Sequence, residues 1–178
     1  MSDSVLVAYA TRYGSTKEVA EAVAKALRER GLAVDVRPAA EVSDLSEYRA
    51  VVLGTALYIG HWLKDTDKFL AIHRDALAKL PVAVFALGPT LGKPDDADWK
   101  ACRENLDKEV AKTPWLAPVA VELFGGKYDP TRLSFLHKFL TIIPASPLHN
   151  LPASDVRDWE VIRAWTEDLP AKLQPAAR

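Results

Sequence analysis

Val5-Leu6-Val7-Ala8-Tyr9-Ala10-Thr11-Arg12-Tyr13-Gly14-Ser15-Thr16 is the stretch that decides the fold. Its first five residues are a short, continuous apolar run, the pattern of a strand buried on both faces. A polar turn follows. Residues 15–30 then read as a helix, with Ser15 and Glu18 spaced as a capping box. Val19, Val23 and Leu27 recur at i+4, so they face the sheet. Gly31 ends the helix.

The same alternation continues along the chain. Residues 33–36 and 50–54 read as the second and third strands, and residues 64–79 as a helix closed by Pro81. Residues 82–87 are a fourth strand, 95–111 a helix after Pro94, and 117–124 a fifth strand. Residues 158–169 form the last helix, capped by Asp155 or Asp158. Short apolar strands joined by crossover helices predict an α/β fold. Its expected form is a doubly wound, five-stranded parallel sheet with helices on both faces. The expected organisation is a single domain over residues 1–178. Residues 125–152, rich in proline and longer than a usual βα connection, are an insertion after the fifth strand.

Bulk composition sets the remaining bounds. The chain has 178 residues, 49% hydrophobic and 26% charged, an ordinary globular balance. A net charge of −1 creates no strong field toward nucleic acid or an anionic membrane. Cys102 is the one cysteine, so no disulfide forms within the chain and no zinc cluster is expected. The N-terminus lacks the basic start of a signal peptide, and no run of about 18 apolar residues exists to span a bilayer. The expected location is cytoplasmic, with contact at a membrane surface left open.

In doubly wound sheets, ligands bind outside the carboxyl ends of the strands at the topological switch point. The first loop lies there. Thr11, Ser15 and Thr16 contribute three hydroxyls beside Gly14, where helix N–H groups converge. Unpaired N–H groups and the helix dipole favour an anion, and hydroxyls add donors. A cap alone accounts for one hydroxyl, not three. The G-x-x-x-x-G-K-[ST] and G-x-G-x-x-G patterns are absent, against a nucleoside triphosphate and a dinucleotide. The strand ends Tyr9-Ala10-Thr11 and Leu53-Gly54-Thr55 lack the acidic residues of a receiver domain.

Thr11-Arg12-Tyr13-Gly14-Ser15-Thr16, followed by Val19-Ala20, resembles the flavodoxin phosphate loop, and the likeness covers nearly the whole chain. The resemblance implies a flavodoxin-like fold and flavin mononucleotide (FMN) as cofactor. It also implies that Thr11, Ser15 and Thr16 bind the phosphate, with Arg12, Tyr13 and Gly14 giving backbone contacts. It makes Thr55, Ala56, Leu57, Tyr58, Ile59 and Gly60 one side of the flavin site. An aromatic wall suits the planar ring, and Tyr58 is the expected wall. Trp62 is either a second wall or core of the following helix, and His61 an exposed polar residue. The third loop, Gly88, Pro89, Thr90, Leu91 and Gly92, completes the expected site. It lacks the tyrosine that many small flavodoxins stack on the outer flavin face, which leaves that face open to a second planar molecule. Lys93 is read as a solvated charge.

Flavodoxins are strongly acidic, and this chain is not. Its insertion and closing Arg157-Asp158-Trp159-Glu160 resemble the menaquinone-dependent protoporphyrinogen dehydrogenases. Pro144-Ala145-Ser146-Pro147 departs from that branch, so no catalytic residue is carried over. Asp129-Pro130 reads as a cap and first turn, and residues 131–143 as an amphipathic helix. Ser134, His137, Lys138 and Thr141 lie on its polar arc. That helix is either a lid or surface-docking element beside the flavin or part of the core. The expected function is an FMN-dependent oxidoreductase linking a porphyrinogen-like donor to a quinone, with membrane-surface contact through 131–143 and no nucleic-acid partner. The alternatives are an electron-transfer protein that docks on redox partner proteins, and an NAD(P)H:quinone reductase.

Overall fold

A computed structural model describes residues 4–133, 142, 144 and 151–174. Its main sheet is built on β1 (Ser4–Tyr9), β2 (Val34–Pro38), β3 (Tyr48–Tyr58), β5 (Val82–Leu87) and β6 (Ala120–Phe124), in the order β2-β1-β3-β5-β6. All four pairings are parallel. The chain runs from β1 to β2 on one side and returns to β3 on the other. A crevice therefore opens at the carboxyl ends of β1 and β3.

Side-chain alternation along β1 sorts the two layers. Val5, Val7 and Tyr9 face α1 (Ser15–Glu29), where Val19, Val23 and Leu27 are fully buried. Ile162 of α5 (Trp159–Glu167) and Leu169 of α6 (Leu169–Lys172) extend that layer. Leu6 and Ala8 face the other layer, with Phe69 and Leu70 of α2 (Lys64–Ile72) and Leu77 of α3 (Arg74–Leu77). Leu106 of α4 (Ala97–Ala111) covers β5 and β6 through Ala86 and Leu123.

The structure departs from the sequence expectations at identifiable places. The helix expected over 64–79 breaks at His73. That residue is buried, bonded through Nε2 to the Val42 carbonyl at 3.1 Å, and packed on Phe69. The fifth strand begins at Ala120 rather than 117, because Ala117 has φ 41° and turns the chain first. Residues 55–58 continue β3 rather than form a loop, and β4 (His61–Trp62) pairs back antiparallel on Leu57 and Tyr58. Trp62 is core: it is buried, and its Nε1 donates to Asp67 at 2.6 Å. Asp158 caps α5 through Glu160 and Val161, while Asp155 is held by Arg157.

The insertion has a sheet at its base. β7 (Lys127–Tyr128) pairs antiparallel with β8 (Ser154–Asp155). Asp129 caps as expected, accepting from the Thr131 N–H. A 3-10 turn over Pro130–Arg132 takes the place of an α-helical start, and Leu133 is extended. Ile142 is exposed and lies in a turn, and residues 134–141 and 143 of the expected helix lie outside the described residues.

Candidate functional site

β1 ends at Tyr9, and the chain turns through 10–14 into α1. The turn is held by the Thr11 hydroxyl, which accepts from the Gly14 N–H at 2.9 Å. The expected capping box is absent. Gly14, with φ 92°, is the N-cap, and no side chain caps the helix. This left-handed geometry favours glycine. A Cβ there would also lie 3.2 Å from Arg132 Nη1. Glu18 is drawn away from Ser15 by cations. It accepts from Arg157 Nη1 at 2.7 Å and Arg132 Nη1 at 3.0 Å, with Lys127 Nζ at 3.7 Å.

Those bonds fix the electrostatics behind the loop. Partial burial pushes the Glu18 carboxyl up, but Arg157, Lys127 and Arg132 outweigh it and hold it below its ordinary value. Arg157 also pairs with Asp155 through Nε at 2.8 Å and Nη2 at 2.6 Å. Its side chain is 3% exposed.

The crevice beside the loop is a pocket of about 270 Å³. One end has Ser15 and Thr16, with Arg12, Lys127 and Arg132 around it. The walls are apolar or aromatic, built from Ala56, Leu57, Tyr58, Leu87, Tyr128 and Leu133. Arg12 lies over the Tyr58 ring, 4.9 Å from its centroid. Burial and the neighbouring Tyr13 raise the Tyr58 phenol above its ordinary value. Two residues lining the pocket carry a buried hydroxyl with no hydrogen-bond partner among the described residues: Thr16, which has no exposed surface, and Tyr128. Buried hydroxyls normally have partners. A Thr16 hydroxyl in the first turn of a helix is suited to an anionic oxygen.

The structure gathers most of the expected site. Arg12, Tyr13, Ser15, Thr16, Ala56, Leu57, Tyr58, Ile59, Gly88 and Thr90 line the pocket. Thr11 and Gly14 shape the loop from behind. Thr55 turns away, its hydroxyl 2.7 Å from that of Thr66 in α2. Gly60 packs near Asn105 of α4, and the Pro89 carbonyl accepts from the Gly126 N–H at 2.7 Å. The Leu91 carbonyl accepts from Trp99 Nε1. Gly92 borders a second concavity of about 470 Å³, with Lys93, Trp99, Arg103, Phe124 and Val161.

Sequence reading offered residues 131–143 as a lid beside the flavin but placed no residue after Phe124 in the cofactor site. Lys127, Tyr128, Asp129, Arg132, Leu133 and Leu151 all reach the pocket. The available signal was Gly125-Gly126, which lets the chain pass close to its neighbours. A Cβ at Gly126 would lie 2.7 Å from the Gly88 carbonyl oxygen. His61, on the far side, is 2.7 Å from Glu109 Oε1. Burial opposes ionisation of Glu109, but Lys112 and His61 hold its carboxyl below the ordinary value. Among the described residues there is no metal-binding cluster, and no helix is long and apolar enough to cross a membrane.

Comparisons with known proteins agree with this architecture. The protoporphyrinogen IX dehydrogenase [quinone] of Escherichia coli strain K12 is 28% identical over 92 residues, covering 51% of each chain. This chain thus spans about half the length of that relative. The Leishmania major protein of the same name is 24% identical over 178 residues, covering 96% of this chain and 76% of the relative. A flavodoxin structure from Streptococcus pneumonia TIGR4 superposes with TM-score 0.55 at 20% identity, covering 95% of this chain and 99% of that one. A profile described as "Flavodoxin domain" matches residues 6–143. The chain belongs to the flavodoxin domain family, whose fold and loop imply flavin binding.

Proposed function

We propose that the protein is an FMN-dependent oxidoreductase that carries electrons from a porphyrinogen-like donor to a quinone. The observation that carries the cofactor reading is the Thr16 Oγ1, buried at the start of α1 beside Ser15 with no partner among the described residues. A phosphate oxygen there would complete it. Tyr58 and Leu57 would lie along the ring, and Thr11 would keep the loop in shape through Gly14. A bound flavin supplies reversible one- and two-electron chemistry. The chain's residues bind and orient it and limit water around it.

Both named dehydrogenase relatives support the donor and the quinone. The quinone finds further support in a Methylocella silvestris relative named NAD(P)H dehydrogenase (quinone), 31% identical over 88 residues, 37% of this chain and 44% of that one. Each two-electron step takes two electrons and two protons from the donor and turns one quinone into one quinol. The test is identification of the flavin released from the purified protein, then anaerobic turnover of porphyrinogen with quinone and no protein partner. FMN release with turnover supports the reading. FMN release with no turnover would leave an electron-transfer protein.

A further inference from the structure

We propose that Arg132 is the cation that pairs with the flavin phosphate, exchanging Glu18 for that phosphate when FMN enters; this inference rests on the FMN reading above. A dianion at the start of α1 meets the Glu18 carboxylate one helical turn along. That repulsion must be neutralised, and three cations already converge on Glu18: Arg157, Lys127 and Arg132.

They are not equivalent. Arg157 is fixed. Its side chain is 3% exposed, and its guanidinium is locked to Asp155 on one edge and to Glu18 on the other. Lys127 stands 3.7 Å from Glu18, a loose pairing. Arg132 is the adjustable one. Its side chain is 48% exposed, its Nε lies 3.7 Å from Asp129, and its Nη1 divides itself between Glu18 Oε1 at 3.0 Å and the Tyr13 carbonyl at 3.4 Å. The same Nη1 lies 3.2 Å from where a Gly14 Cβ would be. The guanidinium therefore already touches the loop and borders the pocket with Ser15 and Thr16. A planar guanidinium fits phosphate oxygens with two parallel bonds. If it turns, Arg157 and Lys127 stay to neutralise Glu18. Arg12 is committed differently, stacked over Tyr58.

The insertion then takes part in cofactor recognition, because Arg132 ends the turn that follows β7. The test compares FMN with riboflavin, which lacks the phosphate, by titration of the apoprotein. Arg132→Gln should weaken FMN by about tenfold or more and leave riboflavin unchanged, and Arg132→Lys should recover part of the loss. Higher salt should weaken FMN less in Arg132→Gln than in the parent. If Arg132 only braces the loop, Arg132→Gln weakens both flavins alike, and the inference is overturned. An unmoved ratio with both flavins bound overturns it too, while leaving the FMN reading intact. A parent that binds neither flavin overturns the FMN reading and this inference together.

Discussion

The Arg12 guanidinium lies over the ring of Tyr58, 4.9 Å from its centroid, so a cation covers part of one face of that ring. Tyr58 also forms a hydrogen bond with Tyr13, which fixes its ring. Tyr58→Ala should weaken FMN binding and relieve quenching of flavin fluorescence, because an offset aromatic contact contributes roughly 0.5–1.5 kcal/mol beyond area. Tyr58→Phe should preserve the stacking. Fluorescence titration of the two variants checks this. Equal quenching in Tyr58→Ala and the parent would place the wall elsewhere.

Ile59 predicts a stability gain. It has φ 50°, next to Gly60 at φ 80°, and joins Tyr58 to His61 in a two-residue hairpin. Positive φ at both central positions is the turn that matches strand twist. A β-branched residue there costs about 1–2 kcal/mol. Ile59 is also 94% exposed, so its side chain recovers little by burial. Ile59→Asn should raise the denaturant midpoint by an amount corresponding to up to about 1 kcal/mol. An unchanged or lower midpoint would show that Ile59 is stabilised by contacts outside the hairpin.

Acid should expose the Glu18 cluster. The Glu18 carboxyl is held below its ordinary 4.5, where burial is outweighed by Arg157, Lys127 and Arg132. A depressed carboxyl contributes stability that is full above the ordinary value and lost as pH falls through the depressed one. Glu18→Gln should therefore be less stable than the parent at pH 7, and the two should converge only as pH falls through the depressed value. Denaturant midpoints across that range are the measurement. A constant gap would mean that Glu18 acts through packing rather than charge.

Much of the fold was legible because local chemistry wrote it. Val5 to Tyr9 announced a strand, and Val19, Val23 and Leu27 announced the face of α1. The hairpin over 55–62 was not legible. Its turn carries Ile59 where asparagine or glycine would signal positive φ, and its strand is defined by pairing with β4. The capping box failed for a long-range reason. Glu18 bonds to Arg157, 139 residues away, and that competition leaves no trace near Ser15. The pocket's third wall was hidden likewise, because β7 and β8 are two residues each and pair across the insertion. Trp62, by contrast, was readable as either wall or core, and its burial in the second layer, with Nε1 bonded to Asp67, decides for the core.

The last prediction sets stability against affinity at one atom. Thr16 has no exposed surface, and its Oγ1 has no hydrogen-bond partner among the described residues. A buried hydroxyl left unpaired costs about 1–3 kcal/mol. Thr16→Val keeps the shape and removes the hydroxyl. Without flavin, the variant should be as stable as the parent or more stable, by up to that amount. With FMN, the order should reverse. The lost bond to a charged group contributes roughly 1.5–3 kcal/mol, so affinity should fall at least tenfold. Riboflavin affinity should stay the same, since riboflavin has no phosphate for that hydroxyl to meet. The measurements are denaturant midpoints with and without FMN, and titrations with both flavins. If the hydroxyl is instead satisfied in solution by a fixed water, Thr16→Val loses stability without flavin and leaves FMN affinity unchanged. That outcome would refute the assignment of Thr16 to the phosphate.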